Sequence, residues 1–121
     1  MSTIEPVGRH LLADLCGVPP ALLSDAVAIE AALRAAAADA GATVLFGHVH
    51  PFGDGQGVTG VLLLMESHIS IHTWPEHGFA AVDVFMCGDA RPELALASLQ
   101  AFFAPADCIQ RLAPRGLLRD S

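Results

Sequence analysis

The chain has 121 residues, the length of one domain, and 53% of them are hydrophobic, which excludes a disordered chain. Thirteen acidic residues against six scattered Lys and Arg give a net charge of −7, which excludes a basic nucleic-acid surface. The first residues have neither a basic start nor an apolar run, and the longest apolar stretch, residues 58–65, is too short to cross a bilayer. We therefore expect no membrane partner.

The apolar patterns predict strands and helices in a definite order. Along the chain these are a strand at 8–16, a helix over 22–40, strands at 43–50, 58–65, 69–73 and 79–87, a helix over 91–103 and a strand at 107–112 before a polar tail. Gly41 is a typical residue after a helix end, and Pro92 is typical of a first helical turn. Short turns between consecutive strands favour an antiparallel sheet, and two helices can cover only one of its faces.

The other face of this sheet is also partly apolar. In the predicted strand 79–87, one row suits the helices: Ala80, Val82, Val84 and Met86. The opposite row is Phe79, Ala81, Asp83, Phe85 and Cys87. Because soluble proteins seldom expose a large apolar area, we expect a second copy to cover this face. The prediction is an α+β fold in a single domain, residues 1–121: a two-layer sandwich with two helices on one sheet face, dimerising through the other.

Three cysteines, Cys16, Cys87 and Cys108, are far apart and form no C-x-x-C pair. Such usage is typical of a reducing compartment, so we expect a cytoplasmic protein. Taken alone, each thiol is first interpreted as a small buried hydrophobic group.

The densest group of reactive side chains is Glu66-Ser-His-Ile-Ser-Ile-His-Thr-Trp-Pro-Glu76, followed by Asp83 and Cys87. A hydrolase would use Ser67 as its nucleophile with a histidine base, but this serine is not in a G-x-S-x-G elbow. A small binding domain, whose His and Ser residues only satisfy the core, is another interpretation.

A metal site is a further alternative for the histidines. His48 and His50 share one strand face and would need His68, His72 or Cys87 as additional ligands. H-x-H is common by chance, and no closing Cys or His motif accompanies it. We therefore expect no protein-bound metal.

The reactive stretch resembles the signature of a known family. The segments 66–76 and Phe79-Ala-Ala-Val-Asp-Val-Phe-Met-Cys-Gly88 are similar to the motifs of prokaryotic S-adenosylmethionine decarboxylases. Three shorter motifs extend the likeness, which covers the chain up to about Pro92: Gly8-Arg-His-Leu-Leu12, Gly41-Ala-Thr43 and Gly57-Val-Thr-Gly60. The resemblance implies a pyruvoyl-dependent carboxy-lyase. It would convert S-adenosylmethionine to carbon dioxide and decarboxylated S-adenosylmethionine, the aminopropyl donor for spermidine.

The resemblance also implies a zymogen that cuts itself between Glu66 and Ser67, giving residues 1–66 and 67–121. Ser67 Oγ attacks the Glu66 carbonyl to form an ester, and loss of the Ser67 α-hydrogen expels the carboxylate. The resulting dehydroalanine hydrolyses to a covalent pyruvoyl group and ammonia. His72 matches the proton acceptor of processing. Thr59 matches a hydroxyl position, often Ser, that assists it.

In the finished enzyme of the family, the pyruvoyl carbonyl forms a Schiff base with the substrate and withdraws electrons as carbon dioxide leaves. Cys87 matches the proton donor of that reaction. Glu76 matches a carboxylate that holds the ribose hydroxyls or the cationic substrate, and Phe52 matches an aromatic that stacks on adenine. Ornithine or arginine is the alternative substrate on this fold, and an inactive binding homologue is the alternative of another class.

The spacing of Ser67 and His72 adds a geometric constraint. In one flat strand, side chains five residues apart point to opposite faces and their Cα atoms lie roughly 16 Å apart. Either the chain bends between Ser67 and His72, or His72 serves the pyruvoyl group of a neighbouring subunit. The resemblance implies the second arrangement, a homodimer of cleaved protomers with active sites at the interface.

Overall fold

Six strands form one antiparallel sheet in the computed structural model, which describes residues 5–117. The strands are β1 (Pro6–Cys16), β2 (Val44–Pro51), β3 (Val58–Leu64), β4 (Ser67–Trp74), β5 (Phe79–Cys87) and β6 (Asp107–Leu117). The helices are α1 (Pro20–Leu23), α2 (Ala26–Asp39) and α3 (Pro92–Phe103), with one 3₁₀ turn at Pro75–His77. The spatial order β2-β3-β4-β5-β1-β6 places β4 and β5 in the middle of the sheet. The predicted α+β class is confirmed.

The first helical region is divided, whereas the sequence predicted one helix over 22–40. Asp25 interrupts it because its backbone is extended and its side chain accepts a hydrogen bond from the Ala28 N–H at 3.1 Å. An aspartate in this role begins a new helix. The predicted end is confirmed, since Gly41 follows α2 in the left-handed region at φ +80°.

The last strand is longer than predicted. A polar tail was expected after residue 112, but β6 continues to Leu117 and pairs with β1 along its length. Pro114 and Gly116 make this strand hard to recognise in the sequence, because both residue types are uncommon inside strands. An edge strand tolerates proline because one side of its backbone has no ladder partner. The end of the expected tail, residues 118–121, lies outside the described residues.

One sheet face packs against the helices and forms the core. The predicted row of β5 is buried there, with exposed fractions of 0–3%. Leu33 of α2 and Phe103 of α3 are fully buried against the same core. Strict alternation along β5 turns its other row outward, so the two faces of the sheet differ as the sequence predicted.

The face opposite the helices, hereafter the open face, is rich in histidine. By strand alternation and register, five of the six histidines project from it: His10, His48, His50, His68 and His72. Large apolar side chains also lie partly exposed on this face: Leu12, Phe46, Leu63 and Trp74. Among residues 5–117 no helix is long and apolar enough to cross a membrane.

Candidate active site

The predicted scissile bond lies in a tight turn at the start of β4. Met65 and Glu66 join β3 to β4, and Leu64 pairs with Ser67 across the turn. Glu66 adopts φ +60°, in the left-handed region that residues with a Cβ avoid. The conformation costs about 1–2 kcal/mol relative to ordinary backbone. The Glu66–Ser67 bond is therefore presented at a strained, exposed turn.

Cys87, the last residue of β5, contacts both sides of this bond. Its thiol lies 3.2 Å from the carbonyl oxygen of Glu66, to which it donates a hydrogen bond. Its backbone N–H donates to Ser67 Oγ, also at 3.2 Å. The thiol is thus placed where negative charge would develop if the Glu66 carbonyl were attacked. We call Glu66, Ser67 and Cys87 the cleavage group.

Thr59 and His72 form a second group on the open face. They are direct partners across the β3–β4 pair, and Thr59 Oγ1 lies 3.1 Å from His72 Nδ1. His72 is exposed, with its ring 6.2 Å from that of Trp74, and Trp74 in turn stacks on Phe79 at 5.2 Å. The hydroxyl holds the imidazole in one orientation while the rest of the ring stays accessible. Such a pair can accept and pass on a proton.

A shallow cavity of about 270 Å³ adjoins this second group. His72, Thr59, Phe52 and Glu76 all line it, so the structure brings both predicted substrate-binding residues beside the predicted base. Phe52 is 63% exposed, which leaves its ring free to stack on a planar partner. We call these four residues the cavity group.

The floor of the cavity depends on one glycine. A Cβ on Gly57 would lie 2.1 Å from the backbone oxygen of Thr73, so a residue with a side chain cannot occupy this position without moving the backbone. Thr73 is itself buried, accepts from the Val58 N–H at 2.9 Å and donates to the Leu23 carbonyl at 2.6 Å. These contacts tie the start of β3 and the end of α1 to the end of β4. They determine where the cavity forms.

The cleavage group and the cavity group are not in contact within one protomer. Ser67 and His72 both belong to β4, whose register with β3 and β5 continues without a bulge between them. No bend shortens their separation, which is about 16 Å at 3.3 Å per residue. The predicted nucleophile and the predicted base therefore lie at opposite ends of one straight strand.

A hydrogen-bonded network on the open face, hereafter the Asp83 network, was missed as a unit by sequence analysis. One imidazole contacts each carboxylate oxygen of Asp83: His10 Nε2 contacts Oδ1, and His68 Nε2 lies 3.0 Å from Oδ2. Ser70 Oγ lies 3.4 Å from Oδ2. Arg115 donates to His10 Nδ1 at 3.1 Å. His10 belongs to the Gly8–Leu12 motif, which was the available signal, whereas Arg115 lies in the expected tail and gave none.

Electrostatics favour the ionised form of Asp83. Burial acts to raise the pKa of this carboxyl, but its hydrogen bonds with His68 and His10 outweigh burial, and the pKa lies below its ordinary value. The ligand atoms of His10, His68 and Asp83 lie within 4.8 Å of one another, close enough to share a cation. Because both imidazoles are already directed at the carboxylate and Arg115 adds a positive charge, the contacts indicate a hydrogen-bonded network instead of a metal centre.

The other histidines and cysteines have no comparable arrangement in the part of the chain that the structure describes. His48 and His50 lie side by side at 6.1 Å between ring centroids, but they do not form a three-ligand group with the other histidines named as ligands. His50 instead meets the edge of Phe52 at 5.1 Å. Burial raises the pKa of the Cys108 thiol, in keeping with a structural role.

Comparison with known proteins identifies similar chains. The sequence profile of the family described as S-adenosylmethionine decarboxylase matches residues 9–116. An S-adenosylmethionine decarboxylase proenzyme of Parasynechococcus marenigrum (strain WH8102) is 53% identical over 95 residues, 78% of this chain and 73% of that protein. One of Methanococcus maripaludis is 41% identical over 118 residues, 97% of this chain and 96% of that protein. The crystal structure of adenosylmethionine decarboxylase from Aquifex aeolicus VF5 superposes with a TM-score of 0.89 at 36% identity and covers 97% of each chain.

Proposed function

The chain belongs to the S-adenosylmethionine decarboxylase family, and we propose that it makes the pyruvoyl group of this pyruvoyl-dependent decarboxylase by cutting its own Glu66–Ser67 bond. The reaction it catalyses is the loss of carbon dioxide from S-adenosylmethionine. The observation that carries the proposal is the contact of the Cys87 thiol with the Glu66 carbonyl oxygen at 3.2 Å, in a turn strained at φ +60°.

Cleavage begins when Ser67 Oγ attacks the Glu66 carbonyl carbon and the amide becomes an ester. The Cys87 thiol stabilises the oxygen that gains charge in this step. Removal of the Ser67 α-hydrogen then breaks the ester bond, releases Glu66 as a new carboxylate and leaves dehydroalanine. Hydrolysis releases ammonia and leaves the pyruvoyl group as the first residue of the fragment 67–121. His72 is our candidate for the base, with Thr59 orienting it through their hydrogen bond.

The residues around Ser67 suit a pyruvoyl group and its chemistry. When formed, that group supplies a carbonyl that withdraws electrons as carbon dioxide leaves. Cys87 Sγ lies beside residue 67 and holds a proton that it can give to the product carbon. Intact cleavage residues in mutual contact argue against an inactive binding homologue.

We further propose that the active site is shared between two protomers paired through the open face. One protomer leaves the cleavage group about 16 Å from the cavity group, and its cavity of about 270 Å³ is below the usual range of about 300–1,000 Å³ for a small-molecule site. A two-fold axis would cover the partly exposed apolar residues of both open faces at once. It would also bring His72 of one protomer towards Ser67 of the other.

Substrate recognition is assigned to the cavity group. Phe52 offers an exposed ring for adenine, and Glu76 offers a carboxylate for the ribose hydroxyls or the positive sulfonium. The exposed aromatic ring favours an adenosine-bearing substrate over ornithine or arginine, which have no base to stack. The three free cysteines fit a reducing compartment, so we propose a cytoplasmic location.

Intact mass spectrometry of the purified protein tests the proposal. The expected products are the fragments 1–66 and 67–121, with the second blocked to Edman degradation. Ser67→Ala should remain one chain and release no carbon dioxide from S-adenosylmethionine, ornithine or arginine. Full decarboxylase activity in Ser67→Ala would contradict a serine-derived cofactor.

A further inference from the structure

Self-cleavage removes the covalent connection that holds the start of β4 to β3. In the uncut chain, Ser67 is held to β3 through the turn at Met65 and Glu66, and the Leu64–Ser67 pair closes that turn. After the cut, residue 67 is a chain end, and the covalent link that closed the pair is gone. Chain ends are poorly ordered unless they are tied down. The proposed function therefore places the reactive carbonyl at a position that is prone to fray.

His68, the residue after Ser67, makes two side-chain contacts that can hold the new chain end in place. His68 becomes the residue that carries the pyruvoyl group through its amide. Its Nε2 donates to Asp83 Oδ2 at 3.0 Å, and its ring stacks on Phe85 at 5.9 Å with an interplanar angle of 11°. Both partners belong to β5, a central strand that the cut does not interrupt. The side chain of His68 thus holds the new chain end to the middle of the sheet.

The carboxylate that receives His68 is itself held in place. Arg115 has only N–H groups to offer, so His10 Nδ1 must accept its hydrogen bond and His10 Nε2 carries the proton given to Asp83. This arrangement directs Oδ1 of Asp83 towards β1 and leaves Oδ2 for His68. The three strands β1, β5 and β6 thereby orient one acceptor for the chain end of β4.

We propose that Asp83 and His68 are positioning residues that hold the cofactor-bearing chain end in place once the Glu66–Ser67 bond is cut. Their side chains act through the position of the chain end and not on the reacting carbonyl. In the uncut chain the turn also holds Ser67, so loss of the pair has a smaller effect there. In the cleaved enzyme the pair is the side-chain tether of residue 67. The inference rests on the proposed self-cleavage.

The test compares one substitution in two covalent states. Asp83→Asn is made in the self-cleaving protein and in the uncut Ser67→Ala protein, and thermal unfolding of all four is measured. We expect the melting temperature of the cleaved form to fall on the order of 5 °C further than that of the uncut form. Equal falls in the two states would overturn the inference.

Two matched variants sharpen the comparison. Glu30→Gln removes a carboxylate that pairs with Arg34 at 3.1 Å on α2, remote from the cut, and should change both covalent states equally. His68→Ala should reproduce the excess loss seen in the cleaved Asp83→Asn protein, and the double variant should add little, because the two residues form one tether. Additive effects of His68→Ala and Asp83→Asn would overturn the inference.

Kinetics and hydrogen exchange separate positioning from general structure. Asp83→Asn should cleave to completion, then turn over S-adenosylmethionine about tenfold more slowly with KM within about twofold of the parent, since only the alignment of the carbonyl is lost. Backbone amides of residues 69–71 should stay protected in the cleaved parent and lose protection in cleaved Asp83→Asn. Unprotected amides in the cleaved parent, or a folded Asp83→Asn that does not cleave, would overturn the inference. Absence of cleavage in the parent protein would instead refute the proposed function.

Discussion

The two ends of β4 carry groups that are chemically complementary. At its start, Ser67 and Cys87 surround a strained carbonyl, and the neighbouring imidazole of His68 is engaged by Asp83. At its far end, His72 has an accessible ring and a hydroxyl partner, but no strained bond lies beside it. In the proposed reaction, one end supplies the bond that is cut and the other supplies the base. Ser67 and His72 are only five positions apart in the chain, yet β4 holds them too far apart to meet within one protomer.

Complementation between variants is the sharpest test of this division and has the largest expected effect. Unprocessed Ser67→Ala and unprocessed His72→Ala are mixed under conditions that allow subunit exchange, and cleavage is followed by mass spectrometry. A mixed dimer has one site with both groups intact, so the His72→Ala chain should be cut. Random pairing at equal mixing places about half of those chains in mixed dimers at any time, so cleavage should rise from none to at least about half of them.

Each variant incubated alone is the control and should stay uncut. If exchange is verified with tagged subunits and the mixture still shows no cleavage, His72 does not act across the interface. Another residue would then have to serve as the base for cleavage at Ser67.

Replacing the thiol at the start of β4 should have the next largest effect. Cys87→Ser keeps a donor near the Glu66 carbonyl, so cleavage should continue, but a hydroxyl is a much weaker proton donor. Decarboxylation should fall about 10²- to 10⁴-fold, with part of the product diverted to transamination. Carbon dioxide release and product analysis on the cleaved protein measure both outcomes.

Cys108→Ser is the matched control, because burial raises the pKa of this thiol and the residue lies outside both groups. Its turnover should match that of the parent. An unchanged rate and product in Cys87→Ser would remove Cys87 from the reaction.

The cavity group at the other end of β4 can be probed through the proposed contact of Phe52 with the substrate, with a smaller effect. Phe52→Ala should lower kcat/KM for S-adenosylmethionine about tenfold to hundredfold, the usual value of one stacked base. Phe52→Leu retains apolar bulk without the ring and should give an intermediate loss. Turnover of ornithine or arginine but not of S-adenosylmethionine would reverse the assignment of the cavity group.

The smallest expected effect concerns the Asp83 network, which lies between the two ends. The pKa of Asp83 is lowered in the folded protein, so its contribution to stability is present above its ordinary value of 3.8 and is lost as pH falls through the folded pKa. The uncut Ser67→Ala protein should therefore lose more thermal stability between neutral pH and pH about 3 than its Asp83→Asn derivative. If the melting temperatures of the two proteins fell in parallel with pH, the Asp83 carboxylate would make no contribution to stability.

Local pattern was sufficient for part of the architecture. The predicted boundaries of β5 are those observed, because an almost continuous apolar run with a glycine on each side, Gly78 and Gly88, is typical of a strand. The prediction of one undivided helix over 22–40 was wrong because the capping role of Asp25 was not recognised. The extension of β6 was missed because a strand that contains proline is identified only by its partner, here β1.

Sequence by itself determined the family, the candidate residues and the two faces of β5, because motifs and the two-residue period are carried by neighbouring positions. Only the tertiary structure decided which of those residues meet. Cys87 reaches Glu66 across 21 positions through the pairing of β4 with β5, and Arg115 reaches His10 across 105 through the pairing of β1 with β6. The continuous register of β4 likewise excludes a bend between Ser67 and His72, which the sequence left as an alternative. Register is a property of three adjacent strands together, so no single segment encodes it.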